Sequence, residues 1–228
     1  MGTCATEMTR RRDRAHRRFT PLAAWALACV LAGAASCATP APPPGPVLLH
    51  PVPPTAEPYA LVQGAIVFTG PDFTVSARPW DYRLVVQDIA KAGELNPFGE
   101  GEEPAGHFLF IRVRLENRST RKLIFNPMRA TLVRDNETPL VPLENSDLVF
   151  FVGEDMTAAE ARAKVFRGMS FDLTVTVPPG GTLERYLVFP APEELTKPPM
   201  LHIDDLWVGP ATYDLRFPFE FYPGADRS

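Results

Sequence analysis

The alternation of apolar and polar residues at every second position fixes what this chain can become. Leu109, Ile111, Val113 and Leu115 alternate with Phe110, Arg112, Arg114 and Glu116. Successive side chains of an extended strand point to opposite faces, so this period describes a strand with one apolar face and one that turns polar. Phe171, Leu173, Val175 and Val177 alternate with Asp172, Thr174 and Thr176 in the same way. So do Tyr213, Leu215, Phe217, Phe219 and Phe221 with Asp214, Arg216, Pro218 and Glu220. Pro218 has no N–H to give to a ladder, which predicts an edge position or a free side for that strand. Shorter apolar runs at 61–68, 73–77 and 84–89 are further candidate strands.

Turn chemistry joins these runs. Pro178-Pro179-Gly180-Gly181 has the composition of a type II turn and predicts that 171–177 folds back onto 183–189. Gly209-Pro210 predicts a hairpin between 201–208 and 211–221, and Asp135-Asn136-Glu137 one between 131–134 and 139–143. About seven to nine strands at this spacing predict a mainly β fold, a two-sheet antiparallel sandwich. One stretch is helical: Thr157 and Glu160 form a capping box, Glu160 and Lys164 are an i,i+4 pair, and Gly168 closes the last turn. The apolar run 148–152 fits strand or helix. Residues 144–169 therefore read as an insertion between strands. Either it carries the specific function, with Phe150 and Phe151 as candidate partner contacts, or it covers one open end of the core. Residues 91–106, with Glu100, Glu102, Glu103 and several glycines, read as a solvated loop.

From His107 onward the pattern resembles a known group. A long strand ends in Glu116-Asn117, a later one ends in Val177-Pro178-Pro179-Gly180-Gly181, the next contains Leu187-Val188-Phe189, and the chain closes on 215–221. This is similar to the immunoglobulin-like, telokin-like sandwich domains of bacterial exported lipoproteins, a largely uncharacterised group. The resemblance spans roughly residues 107–221. It implies a fold and an envelope location, and brings no catalytic residues.

The beginning of the chain agrees on location. Arg10, Arg11, Arg12, Arg14, Arg17 and Arg18 stand against Glu7 and Asp13, and Met8 ahead of them is an alternative start. No charge follows from 19 to 36, and 22–32 is an Ala- and Leu-rich run too short for a spanning helix. Leu31-Ala32-Gly33-Ala34-Ala35-Ser36-Cys37 resembles the lipobox of bacterial lipoproteins, with Ala34 where that motif usually has Leu. Ordinary cleavage after Ala32-Gly33-Ala34 and an uncleaved anchor are the competing readings. The resemblance implies lipidation of Cys37, and Ala38 after it resembles the outer-membrane sorting pattern. Residues 38–58 hold nine prolines and read as an extended spacer. The expected organisation is a cleaved signal at 1–36, lipidated Cys37 with a tether to 58, and a sandwich over 59–228.

Charge and cysteine narrow the chemistry. The whole chain is at −4 and the first 36 residues at +4, so the remainder carries −8. An acidic exported part argues against nucleic acid, whose binders need a basic face. The three cysteines are Cys4, Cys29 and Cys37, so the domain holds no intradomain disulfide and no thiolate site. No Gly-x-Ser-x-Gly elbow and no phosphate loop is present. Met200 and His202 are the soft-ligand pair that a copper(I) site would use, with His107, Met128, Met156 and Met169 as further ligands. Met as core filler and His as a surface residue is the simpler reading, so no cofactor is expected. Asp204-Asp205 with Glu193-Glu194 read as a solvated acidic patch, without the spacing of a calcium loop. Asn117-Arg118-Ser119 has the form of a glycosylation sequon, which means little in a bacterial-type chain. The expectation is a non-enzymatic envelope module, bound to the membrane by its lipid and to an envelope protein partner. The alternative is a small-ligand or copper-binding sandwich.

Overall fold

The computed structural model describes residues 47–98, 106–135, 137–150, 156–192 and 197–223. The expected signal, Cys37, Asn136, Phe151 and Glu193-Glu194 lie outside them. Among the described residues the fold is mainly β: two antiparallel sheets packed as a sandwich, with a few short helices.

The first sheet is ordered β1 (Val47–Pro51), β11 (Ala211–Pro223), β10 (Met200–Val208), β6 (Leu123–Phe125), β8 (Val175–Val177), with β7 (Ala130–Val133) also paired to β10. The second is ordered β2 (Tyr59–Val62), β3 (Ala65–Thr69), β4 (Phe73–Trp80), β5 (Phe108–Asn117), β9 (Thr182–Pro190). Between them lies the main core, where Ile111 and Leu115 of β5 meet Phe125, Phe171 and Phe217, all buried. The period-two reading of 109–116 and 213–221 holds.

Several connections differ from the expectation. The turn at 178–181 forms, with Gly181 N–H donating to Pro178 O at 2.9 Å and Gly180 at φ 71°. Its flanking strands do not pair, however. β8 joins β6 and β9 joins β5, so the turn is a corner between sheets. The segment before β8 leaves the ladder, and Leu173 is exposed. β11 is interior, so of the two expectations for Pro218 the edge position fails and the free side holds. Pro218 is tolerated because its carbonyl accepts from Val52 N–H, which puts its nitrogen on the β1 side just where β1 ends. β1 itself lies in the stretch read as tether, and Leu49 enters the core, so the sandwich begins at Val47 and not at Tyr59. The Gly209-Pro210 hairpin is present, with Val208 opposite Ala211. The 135–137 connection closes through Glu137 N–H donating to Arg134 O at 3.1 Å and an isolated bridge between Leu132 and Leu140, not a longer ladder among the described residues.

The run 84–89 is helical, not extended. Helix α1 (Tyr82–Lys91) starts at Asp81, whose carboxylate accepts from Arg83 N–H at 2.7 Å. Tyr82, Val85 and Ile89 are its buried positions, at helical spacing. The insertion forms α2 (Asn145–Phe150) and α3 (Met156–Met169). These helices do not plug an open end of the sandwich. Leu148, Val165 and Phe166 join Tyr82 and Val85 in a second core on the outer face of the five-stranded sheet, over Phe108 and Phe110 of β5. The start of the 91–106 loop is anchored there too, since Phe98 is buried edge-on against Phe166 at 5.3 Å.

The insertion is closed at its neck. Asn145 donates from its backbone and side chain to Asp172, at 3.1 and 3.0 Å, and accepts from Ser170 Oγ at 2.7 Å. Leu143 N–H and Phe171 N–H donate to Val188 and Tyr186 carbonyls, so the neck caps part of the β9 edge.

Candidate functional site

Beyond the helices the outer face of the five-stranded sheet turns polar. Period two puts Ser76, Arg78 and Trp80 of β4, Arg112 and Arg114 of β5, and Glu184 and Tyr186 of β9 on that face. Arg78 stands opposite Arg112, Arg112 opposite Tyr186, and Arg114 opposite Glu184. Side chains on neighbouring strands at these positions are in reach of one another.

A cleft of about 460 Å³ opens between α1, α3 and this face, lined by Asp88, Lys164, Met169, Arg112, Glu184 and Tyr186 among others. A second, of about 300 Å³, is lined by Gln63, Ser76, Arg78, Trp80, Arg112 and Glu184. Both are lined by Arg112 and Glu184, so the two clefts adjoin at that pair and make one grooved face.

The middle is tightly organised. Arg112 donates to Glu184 Oε1 from Nε at 2.8 Å and also from Nη2, and its Nη1 stands 3.5 Å from Asp88. Tyr186 Oη donates to Asp88 Oδ2 at 2.9 Å. Lys91 Nζ lies 3.6 Å from Asp88, and Arg114 Nη1 4.0 Å from Glu184. Burial, then the hydrogen bond and charge of Asp88, push the Tyr186 phenol above its ordinary range. Tyr186 is therefore a fixed donor that stays neutral. Arg78 and Arg112 both lie over the Trp80 ring, at 4.4 and 4.8 Å. Chemically this is a set of charges already held in place by each other, backed by the apolar Ile89 and Val165.

The residues singled out in the sequence are not gathered here. Phe150 ends α2 and its side chain is outside the described residues, as is Phe151. Met200 and His202 lie on β10, in the other sheet. His202 stands opposite Thr131 and Arg216. Burial first, then the Arg216 charge, hold its imidazole below the ordinary value, with Asp204 opposing. His107 precedes β5 and is exposed. Among the described residues no three His, Cys, Asp or Glu side chains converge. Asp204 and Asp205 are met by Arg216 at 2.7 Å and Arg129 at 3.6 Å. Asn117 of the sequon is fully buried and held by hydrogen bonds. The sequence reading missed the groove because its parts are far apart: Asp88 and Tyr186 by 98 positions, Arg112 and Glu184 by 72. The one local signal was Arg112 and Arg114 on the polar side of β5.

No family model matches the chain, and none of the curated proteins does. Among solved structures it is similar to the yjhA protein of Bacillus subtilis, with 11% identity and a TM-score of 0.37 over 66% of this chain and 93% of that one. At that score the likeness adds nothing on function.

Proposed function

We propose that this chain is an envelope lipoprotein, lipidated at Cys37 and held at the outer membrane facing the periplasm. Its sandwich, of the immunoglobulin-like kind, is a non-enzymatic binding module that meets an envelope protein through the groove. The location rests on the Arg-rich start, the uncharged run and the small residues before Cys37. The binding role rests on one observation: Arg112 is fixed between Glu184 and Asp88 in an open groove. Groups fixed before a partner arrives lose little freedom on binding, which favours recognition.

A photo-crosslinking residue at Lys164, on the groove rim, tests the role in cells of a host that processes lipoproteins. A discrete protein adduct is expected from position 164 and none from Leu173, also exposed but outside the groove. No adduct, or the same adduct from both, overturns it. Incorporation of a palmitate analogue into the parent but not into Cys37→Ser tests the anchor, and an unmodified terminus at Ala35 would refute lipidation.

The groove volume favours one second reading, a small-molecule ligand, since pockets for such ligands start at about 300 Å³. Copper has no comparable support, because Arg216 lies beside His202.

A further inference from the structure

We propose that the Arg78 end of the groove is an anion subsite that takes a phosphate group. The inference rests on the groove being the binding surface and adds to it the chemistry of one end.

Three guanidinium groups share this face: Arg78 on β4, and Arg112 and Arg114 on β5. The carboxylates are unevenly assigned. Glu184 and Asp88 serve Arg112, and Glu184 reaches Arg114 only at 4.0 Å. Among the described residues Arg78 has no carboxylate partner; it is held by the Trp80 face, at 4.4 Å. Arg78 and Arg112 are also direct cross-strand partners, an arrangement that like charges make unfavourable. Stacking on one indole offsets part of that cost, and with Arg112 engaged by Glu184 and Asp88 it is the edge of the Arg78 guanidinium that keeps donors to spare.

The cleft at this end, about 300 Å³, is large enough for a phosphate group. It adds a neutral donor to the cationic ones. Ser76 lines it and offers a hydroxyl, beside the Trp80 ring on which Arg78 rests. A tetrahedral oxyanion can accept from a planar fork and a hydroxyl together, which suits phosphate. The cations are gathered on a part of the chain that is acidic as a whole, at −8 beyond residue 36. A bound anion would relieve the Arg78–Arg112 repulsion, and Glu184 at the groove's middle would limit how far it could slide.

Calorimetric titration of the full chain in neutral detergent with inorganic phosphate tests this. Saturable binding is expected, weakened about tenfold or more in Arg78→Gln, as the loss of a charge-assisted fork predicts. Arg78→Lys, which keeps the charge and loses the fork, should fall between. Lys122→Gln, remote on the other sheet's side of the fold, should bind as the parent does. No saturable binding by the parent, or equal binding by parent and Arg78→Gln, overturns the proposal. If Arg78→Gln is misfolded by circular dichroism, Arg78→Lys decides, and binding equal to the parent's then counts against it. Glycerol phosphate and glycerophosphoglycerol distinguish the source: tighter binding of the monoester names a soluble phosphoester, tighter binding of the diester a lipid headgroup. An adduct at Lys164 without phosphate binding would remove the subsite and leave the binding module standing.

Discussion

At the scale of single residues, Asn117 is a buried polar tie between the sheets. It closes β5, and its Nδ2 donates to the carbonyls of Arg121, Val177 and Pro178 at 2.7, 3.0 and 3.1 Å. Its Oδ1 accepts from Ser119 N–H and Oγ–H. Val177 and Pro178 stand where the chain leaves one sheet for the other, so this amide ties the two sheets at a corner. Asn117→Ala strands buried carbonyls and should cost about 2–4 kcal/mol, read as a lower urea midpoint. Asn117→Asp keeps the acceptor but loses the donors, and should cost as much. A loss below about 0.5 kcal/mol in either would refute this role. His202 makes a second prediction. Its folded-state pKa lies below the ordinary 6.5, so the unfolded chain takes up a proton first as the pH falls. Stability linked to His202 is therefore present above that value and lost on acidification through it. His202→Gln should lose less stability than the parent between roughly pH 7 and pH 5, measured by parallel denaturant titrations. Equal losses would refute the linkage. Asn117 was visible in the sequence as a strand end, but the partners that tie the sheets were not, since a turn about 60 residues away supplies Val177 and Pro178.

At the scale of elements, periodicity found the strands that have one apolar face and misread what carries two kinds of neighbour. In β5 the inner residues met the sandwich core as read, while Phe108 and Phe110 needed a helical cover that no local pattern announces. The run 84–89 looked extended because Leu84 and Val86 are apolar without being the deeply buried positions. The cap at Asp81 and the 82, 85, 89 spacing were the signals to weigh. The corner at 178–181 shows the same limit: turn type was legible, while the choice of partner strand depends on which sheet has a free edge. These helices predict how the layers melt. Phe166 is fully buried against Phe98 in the second core. Phe166→Ala should cost about 3–5 kcal/mol. Because the second core is separate from the first, the loss should appear as amide exchange in α1 and α3, ahead of β5 and β11. Exchange that rises uniformly over both cores would show instead that the two melt as one unit.

At the scale of the whole molecule, the position of β1 decides where the domain starts. The prolines from 40 to 58 made that stretch read as spacer, and the apolar Val47-Leu48-Leu49 between them was passed over. β1 pairs along β11 from Val47 opposite Pro223 to Pro51 opposite Phe219, and it is an edge strand, where prolines are tolerated. Its loss would uncover the β11 edge and open the core above Leu49. An exposed, long edge with apolar side chains is a template for pairing with another chain. Two truncated chains separate the readings. One that begins at residue 43 keeps β1 and should be monomeric, with the stability of the parent domain. One that begins at residue 59 should lose about 2–5 kcal/mol and self-associate as its concentration rises, seen by light scattering. If the second chain is as stable and as monomeric as the first, β1 contributes nothing and the stretch is spacer after all. The expected outcome instead makes β1 an integral edge strand of the first sheet, held along β11 by a five-residue register.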